Sequence, residues 1–527
     1  MYALVLTLRY VRSKVMPLLA ALCVALCTMM VLVTWSVMSG FLGMLINTGR
    51  NLAGDVTIAW PGTGFAYAEE LVADLERDPL VEAASPMIET FGSLSLPNGQ
   101  PRGVLIRGIE PASYAKVTKY AESLWWKPID RPLAKDTARE DPRLGGLGKE
   151  AWGRIERAGR TLDRPDPRTG EARPAIVPGI HVTGLNARYA EGFYRPLVMR
   201  RKDAAGHVQS IDVFLPFDEG ITLGLTVFPI DSEGRPYEAF TRSFPVANEF
   251  HSGLYEVDQS VVFVPLGALQ GMLRMSEGLR VPRGTRPGQT PGAGADPGES
   301  FATGTPPPGF ERDPARVTHV LVKGRGDMND PARLAALRER VRAIYAAFAE
   351  RHPDEVPPPF EIDILTWEQQ NATFINAVKT ERTLLLFLFS LISLTAVCLV
   401  LAIFWSMVRE KTQDIGVLRA LGASRAGVAG LWVAYGLAIG LVGAILGMAG
   451  SLAIVGNINE IHDWLGRQFN VVVWNPEVYY FTTIPAKVGT ASAVLVFIGG
   501  VLACGLGALV PAGRAALMRP VAALRNE

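Results

Sequence analysis

Four long blocks almost free of charged side chains decide what this chain can become. The first, at 16–39, contains "MPLLAALCVALCTMMVLVTWSVM". It is uncharged for long enough to cross about 30 Å of hydrocarbon as a helix. Its apolar core is longer than that of a cleaved leader and lacks a small-x-small cleavage site, so an uncleaved anchor is expected. The others lie at 383–408, 428–455 and 486–510, the last two rich in glycine. All four cysteines, Cys23, Cys27, Cys398 and Cys504, fall inside these blocks. The long polar stretch between the first two blocks therefore holds no disulfide framework.

Lys and Arg in short loops set the expected sidedness. They gather before the first block (Arg9, Arg12, Lys14), between the second and third (Arg409, Lys411, Arg419, Arg425) and after the fourth (Arg514, Arg519, Arg525). The segment 456–485 has Glu460, Asp463 and Glu477 against one Arg467. Segments 1–15, 409–427 and 511–527 are thus expected in the cytoplasm, and 40–382 and 456–485 on the far side. Gly436 with Gly440, and Gly443 with Gly447, are spaced four apart, as where helix backbones approach closely in lipid.

The far-side region reads as α+β. "DVTIAW" is a strand, "AYAEELVADLERD" an amphipathic helix and "GVLIRGIEP" a strand. The same grammar returns in "VTHVLVKG", "DPARLAALRERVRAIYAAFAERH" and "FEIDILTW". Two β-α-β halves are expected to pack together, with a strand-rich subdomain inserted between them, carried by "SIDVFLPF", "GLTVFPI" and "QSVVFVPL". The stretch 127–173 reads as an irregular insertion, and 280–313, dense in Gly and Pro, as a mobile loop. From Glu368 to Val408 there is no Pro or Gly, so one helix of roughly 60 Å is expected to join the far-side domain to the polar loop that follows.

Motifs for chemistry are missing. The net charge of +1 over 527 residues gives no global reason for nucleic-acid binding. No G-x-x-x-x-G-K-[ST] occurs, since Gly148-Lys149 is followed by Glu150, and there is no H-E-x-x-H, G-x-S-x-G or C-x-x-C. His181, His207 and His251 are scattered, so no metal site is expected. "RGD" at 325–327 and the sequon at Asn371 are short enough to arise by chance. No ionisable residue sits mid-span, which argues against an ion-coupled carrier.

The polar loop carries the most specific pattern. "VREKTQDIGVLRALGAS" at 408–424 resembles the cytoplasmic loop of FtsX/MacB-like ABC transporter permeases, whose pattern is E-K-x-x-D-I-x-x-L-R-x-x-G-A-S. The matching residues are Glu410, Lys411, Asp414, Ile415, Leu418, Arg419, Gly422, Ala423 and Ser424. The ending "VPAGRAALMRPVAALRNE" resembles that family's closing segment. "SGF" at 39–41, "VLIRGIEP" at 104–111, "FPVANEFHSGLYEVDQSVVFVPLGALQ" at 244–270 and "NPEVYYFTTIP" at 475–485 resemble the lipoprotein-releasing LolC/LolE branch. The two insertions, and "VCLVLAIF" where that branch has an "FNII"-like stretch, depart from it.

The resemblance implies an α-helical membrane protein with four transmembrane helices and a large α+β periplasmic domain of MacB-like type inserted between helices 1 and 2. It implies residence in the bacterial inner membrane with both termini cytoplasmic. It also implies a permease that is no enzyme, binds no cofactor itself, and draws on ATP through a cytoplasmic LolD-like ATPase. The loop would be the coupling helix seated in that ATPase, with Ile415, Leu418 and Leu421 on one apolar face and Arg409, Lys411 and Arg419 open to acidic groups. The further implied partners are a second permease subunit, identical or not, a periplasmic lipoprotein carrier, and a lipoprotein or lipid substrate. Alternatives on the same fold are an FtsX-like regulator of a cell-wall hydrolase and a MacB-like efflux permease.

Overall fold

The computed structural model describes residues 15–518 except 97–98, 129–146, 185, 189–193, 197, 203–207, 214–220, 231–234, 281–310, 354 and 470–483. It divides into a helical unit, Met1–Leu45 with Ala372–Glu527, and an α/β unit, Ile46–Asn371.

Helix α1 (Val15–Ala53) extends well past the apolar block that begins it. It stops where Gly54, at φ 73°, turns left-handed and returns its N–H to the Arg50 carbonyl at 2.9 Å, a C-terminal cap that only glycine adopts without strain. Arg50 ion-pairs with Asp55. The second carboxylate oxygen of Asp55 accepts the Gly324 N–H at 2.9 Å, which sets the start of the next strand.

The α/β unit is built on one nine-stranded sheet. Its elements in chain order are β1 (Val56–Ala59), α2 (Ala68–Glu76), β2 (Val81–Ser95), β3 (Pro101–Ile109), α3 (Pro111–Val117) and α4 (Lys149–Thr161). Then come β4 (Val177–Pro178), β5 (Thr222–Val227), β6 (Phe240–Pro245), β7 (Val261–Pro265) and α5 (Leu266–Leu273). Last are β8 (His319–Gly324), α6 (Pro331–Arg351) and β9 (Asp363–Thr366). The strand order is β9-β1-β8-β2-β3-β7-β4, with β5 on β2 and β6 on β5.

The first half closes on β2 and not on the expected strand "GVLIRGIEP", which is β3, and the two β-α-β halves are interleaved. β1 lies between β8 and β9, antiparallel to both, and β8 lies between β1 and β2. Each half is thus a split β-α-β unit whose gap is filled by a strand of the other, the ferredoxin-like arrangement. Burial on both sides explains the alternation. Val56, Ile58, Val320, Val322 and Ile364 pack under α2, α5 and α6, while Met87, Ile109, Phe263 and Leu321 pack with Tyr114 and Val117 of α3.

Two expectations need correction. The strand-rich middle is not wholly a separate subdomain: β5 joins β2, and β7 runs parallel to β3. Val261–Val264 are all buried, and a strand apolar on both sides must sit inside a covered sheet. Among the described residues of this middle stretch, the hairpins Asn186–Arg188/Tyr194–Pro196 and Val198–Lys202/Val208–Val213 stand outside it. Nor is the 127–173 stretch irregular where it is described. It holds α4 and a hairpin of Asp163–Pro165 with Ala172–Pro174. Trp152 of α4 is 2% exposed and stacks on Trp126 at 6.2 Å. Of the 280–313 loop, 281–310 lie outside the described residues, and Glu311–Asp313 pairs back onto Gly278–Arg280.

The helical unit adds α7 (Ala372–Glu410), α8 (Thr412–Ala420), α9 (Arg425–Gly456), α10 (Ile458–Phe469) and α11 (Thr490–Leu517). Stretches of α1, α7, α9 and α11 are long and apolar enough to cross a membrane. The helix expected from Glu368 is broken once. A short helix, Trp367–Gln370, is closed at its start by a capping box between Thr366 and Gln369, and Asn371 (φ −103°, ψ 24°) interrupts it before α7. Helix α11 continues through Pro511 to Leu517.

Candidate functional site

The polar loop forms a tight corner, and its punctuation explains its sequence. Helix α8 ends in a paired carbonyl capture: Ala423 N–H donates to Leu418 O at 3.0 Å, and Gly422 N–H to Arg419 O at 3.2 Å. This Schellman arrangement needs a left-handed residue, supplied by Gly422 at φ 96°. Two residues later Ser424 Oγ accepts the Gly427 N–H at 3.0 Å and caps the start of α9. Arg419 Nη1 donates to the Ala423 carbonyl at 3.1 Å, so this arginine braces the corner. Lys411 Nζ lies 2.7 Å from Asp414 Oδ2 in the first turn of α8, where a carboxylate is favoured.

The apolar stripe divides in two. Ile415, 2% exposed, packs with Val408, Val428 and Ala515, and so anchors α8 to the bundle of its own chain. Leu418 is half-buried. Leu421 falls beyond the last helical turn and is 81% exposed, with Val417 at 48%. The expectation that Ile415, Leu418 and Leu421 share one outward face is therefore incorrect. The helix ends at Ala420 and Gly422 turns the chain, so Leu421 leaves the helical register. Val417 and Leu421 are the exposed aliphatic side chains here, with the Lys411–Asp414 pair beside them.

Four of the eight glycines of α9, Gly436, Gly440, Gly443 and Gly447, serve two seams. A Cβ on Gly436 would stand 2.6 Å from Ala508 Cβ, and one on Gly440 2.7 Å from Cys504 Cβ, both on α11. On Gly443 and Gly447 it would meet the carbonyl oxygens of Ala21 and Ala25 of α1, at 2.7 and 2.5 Å. Helix α9 is thus clamped between α1 and α11 by backbone approach. Gly507 makes a further close approach, from α11 to α7, with Val400 Cγ1 3.1 Å from its added Cβ. The glycine-rich span four signalled such contacts, but not which helix each glycine meets.

Between α1, α7 and α11 lies a cavity of about 430 Å³. Its walls include Val24, Val31, Phe389, Val397 and Leu495. The hydroxyl of Ser390, also in the wall, bonds back to the Phe387 carbonyl at 2.7 Å, so that side chain turns its polar atom onto its own helix. Trp35 lines one end, with the Arg382 guanidinium 5.1 Å from its ring centre, a cation over an aromatic face. The cavity wall is largely apolar, with a positive group beside Trp35.

In the α/β unit the least expected group is Glu249, wholly buried. It accepts hydrogen bonds from Trp126 Nε1 and Thr183 Oγ1, both at 2.7 Å. Burial pushes its pKa up to about 8, outweighing the two hydrogen bonds that pull it down. Asn248 beside it accepts the Trp126 N–H and donates to the Trp126 and Ile155 carbonyls. The pair holds Trp126 and, at Ile155, helix α4 beside the stretch that follows β6. Of the sequence histidines, His251 lies 2.7 Å from buried Asp258 and near His181, while His207 lies outside the described residues.

A family model for the FtsX-like permease C-terminal domain matches residues 386–520, the segment that contains the corner, the glycine seams and much of the cavity wall. The lipoprotein-releasing system transmembrane protein LolC of Xylella fastidiosa (strain 9a5c) is 30% identical over 161 residues, 31% of this chain and 39% of that one. LolC of Haemophilus influenzae is 30% identical over 175 residues, covering 33% and 41%, and LolE of the same organism 23% over 120, covering 23% and 29%. The chain thus spans about two fifths of the length of the LolC relatives it matches. Among solved structures, the periplasmic region of MacB from Actinobacillus actinomycetemcomitans is 10% identical, with a TM-score of 0.26, covering 63% of this chain and 98% of that one. Residues 386–520, with their membrane helices and the corner between them, thus match an FtsX-like permease C-terminal domain, and the chain is similar over this part to the LolC and LolE proteins.

Proposed function

We propose that this chain is the permease subunit of an ABC transporter in a bacterial inner membrane, and that it extracts lipoproteins from the outer leaflet using ATP hydrolysed by a separate LolD-like ATPase. The reading rests first on the corner at α8. Its Ile415 root is fixed in the bundle while Val417 and Leu421 are exposed beside the Lys411–Asp414 pair, which suits a knob seated in a cytoplasmic partner. Positive charge around it favours the cytoplasmic side, with both termini inside and the α/β unit in the periplasm.

Energy is needed because the cargo is lipid. Drawing an acyl chain into water costs about 0.8 kcal/mol per methylene, so three chains of about 14 methylenes cost at most roughly 34 kcal/mol. The apolar cavity between α1, α7 and α11 offers a protein-lined step on that path. A second permease subunit would complete the conduit, and a periplasmic carrier would receive the cargo. The chain itself supplies no nucleotide-binding chemistry in this reading.

The test is extraction from native membranes in mild detergent with mass spectrometry of what co-purifies, for the wild type and for Leu421→Glu. A stoichiometric ATPase with acylated proteins, the ATPase lost in the variant, supports the reading. A cell-wall hydrolase in place of acylated proteins would favour the FtsX-like regulator. No ATPase even after crosslinking at Leu421 would overturn the permease mechanism.

A further inference from the structure

Helix α10 leaves the membrane-spanning α9 with only Asn457 between them. Its sequence, INEIHDWLGRQF, places Ile458, Ile461, Leu465 and Phe469 along one side with Trp464 at the margin, and Asp463 and Glu460 on the other. That apolar side is open: Ile461 is 37% exposed, Trp464 52% and Phe469 63%. The rings of Trp464 and Phe469 meet edge to face at 5.7 Å. An isolated helix of this length gains little stability unless its apolar side is covered.

Four contacts within the helical unit fix the place at which α10 sits. Asn459 Oδ1 accepts the Ile484 N–H at 2.8 Å, and its Nδ2 donates to the Ile484 carbonyl at 3.4 Å. Ile484 precedes α11 by one short linker. That linker is tied to α1, since Lys487 N–H donates to the Ser36 carbonyl at 3.2 Å and Gly40 packs against the Pro485 carbonyl. The exit of α9, the approach to α11 and the end of the apolar block of α1 thus meet at the foot of α10. This is the level at which three spans reach the boundary of the hydrocarbon.

We infer that α10 lies along the membrane surface, with its Ile461–Trp464–Phe469 side inserted among the lipid headgroups and first methylenes of the adjacent leaflet. The occupant is bilayer lipid. Tryptophan at the margin of an apolar helix side is suited to that depth, with its ring in the acyl boundary and its indole N–H in the headgroups. Glu460 and Asp463 face water, so the helix has no charge-based preference for anionic lipid and its insertion is insensitive to salt. Leaflet lipid beside α11 is then held against a fixed helix.

The experiment uses the full chain in vesicles of phosphatidylethanolamine and phosphatidylglycerol. With the four native cysteines replaced by alanine, a nitroxide is attached through Glu460→Cys, Ile461→Cys, Asp463→Cys or Phe469→Cys, one at a time. Collision rates with oxygen and with a water-soluble nickel chelate are then compared. Labels at Ile461 and Phe469 are expected to favour oxygen several-fold over labels at Glu460 and Asp463. Equal nickel access at all four positions would overturn the inference. So would labels at Ile461 and Phe469 shielded from both reagents, which would mean that protein, such as a second copy, covers that side. A second measurement keeps the native cysteines. Brominated lipid should quench less of the total fluorescence in Trp464→Phe than in the wild type, and an unchanged quenched fraction overturns the inference independently of the cysteine-free background.

Discussion

The carboxylate of Glu249 accepts a hydrogen bond from the indole of Trp126 at 2.7 Å across a separation of 123 positions. With the pKa of Glu249 raised from 4.5 to about 8, folding of the α/β unit takes up a proton between those values. The stability that the neutral acid contributes is full below about pH 4.5 and is lost as pH rises through about 8. The slope reaches about 1.4 kcal/mol per pH unit within the window. Glu249→Gln keeps the shape without the charge, since its amide can donate to the Thr183 hydroxyl. Denaturant unfolding at several pH values should show this slope flattened in the variant; an unchanged slope assigns the proton elsewhere.

Trp152 holds α4 to the same region through its stack on Trp126. Trp152→Ala removes a buried aromatic at a cost of about 3–5 kcal/mol. Limited proteolysis should then cut first within Lys149–Thr161 while the sheet stays intact. Unchanged cleavage kinetics would show that the stack does not anchor the helix.

At the corner, stability and coupling should separate. Ile415→Ala empties a buried site and should lower the thermal midpoint, at a cost of about 2–4 kcal/mol. Leu421→Glu changes an exposed side chain and should leave the midpoint alone while abolishing ATPase association. Gly422→Ala forces a left-handed alanine, about 1 kcal/mol or more, and should impair both in part. A Leu421→Glu protein that still binds the ATPase normally would remove this surface from the coupling role.

The glycine seams give a matched pair. Gly443→Ala drives a methyl onto the Ala21 carbonyl, and overpacking of this kind costs about 1–3 kcal/mol. A Cβ on Gly430 of the same helix meets nothing within 4 Å. Gly443→Ala should lower the thermal midpoint in detergent and Gly430→Ala should not. Equal midpoints would mean that α9 tolerates a wider spacing from α1.

Much of this architecture is legible in the residues because lipid leaves so few choices. With no water to bond backbone groups, an uncharged block of spanning length becomes a helix, and the four blocks did. Strand and helix periods likewise mark β1, α2, β8 and α6. Pairing partners are not local properties, so the insertion of β1 between β8 and β9, and the entry of β7 into the main sheet, have no local sign. The break at Asn371 is half legible: Thr366 and Gln369 have capping-box spacing, and asparagine is suited to helix ends, but it also occurs inside helices, so its presence alone does not fix the stop. The corner pattern was visible as a motif, yet the division between Ile415, turned inward, and Leu421, turned outward, depends on where Gly422 ends the helix. Glu249 was hidden because a lone glutamate in a polar segment looks like surface until its burial is known.

The placement of β1 governs the order in which the α/β unit can be completed during synthesis. Val56 pairs with Val322 on one side and Thr366 on the other, so the first strand made has no neighbour until the last two arrive. Through almost the whole emergence of the unit it is an edge on both flanks, the kind of strand that recruits wrong partners. Pairing over such separations also closes slowly. A chain that stalls before His319 therefore leaves β1 bare, and shielding this nascent strand falls to whatever meets it first on its way out.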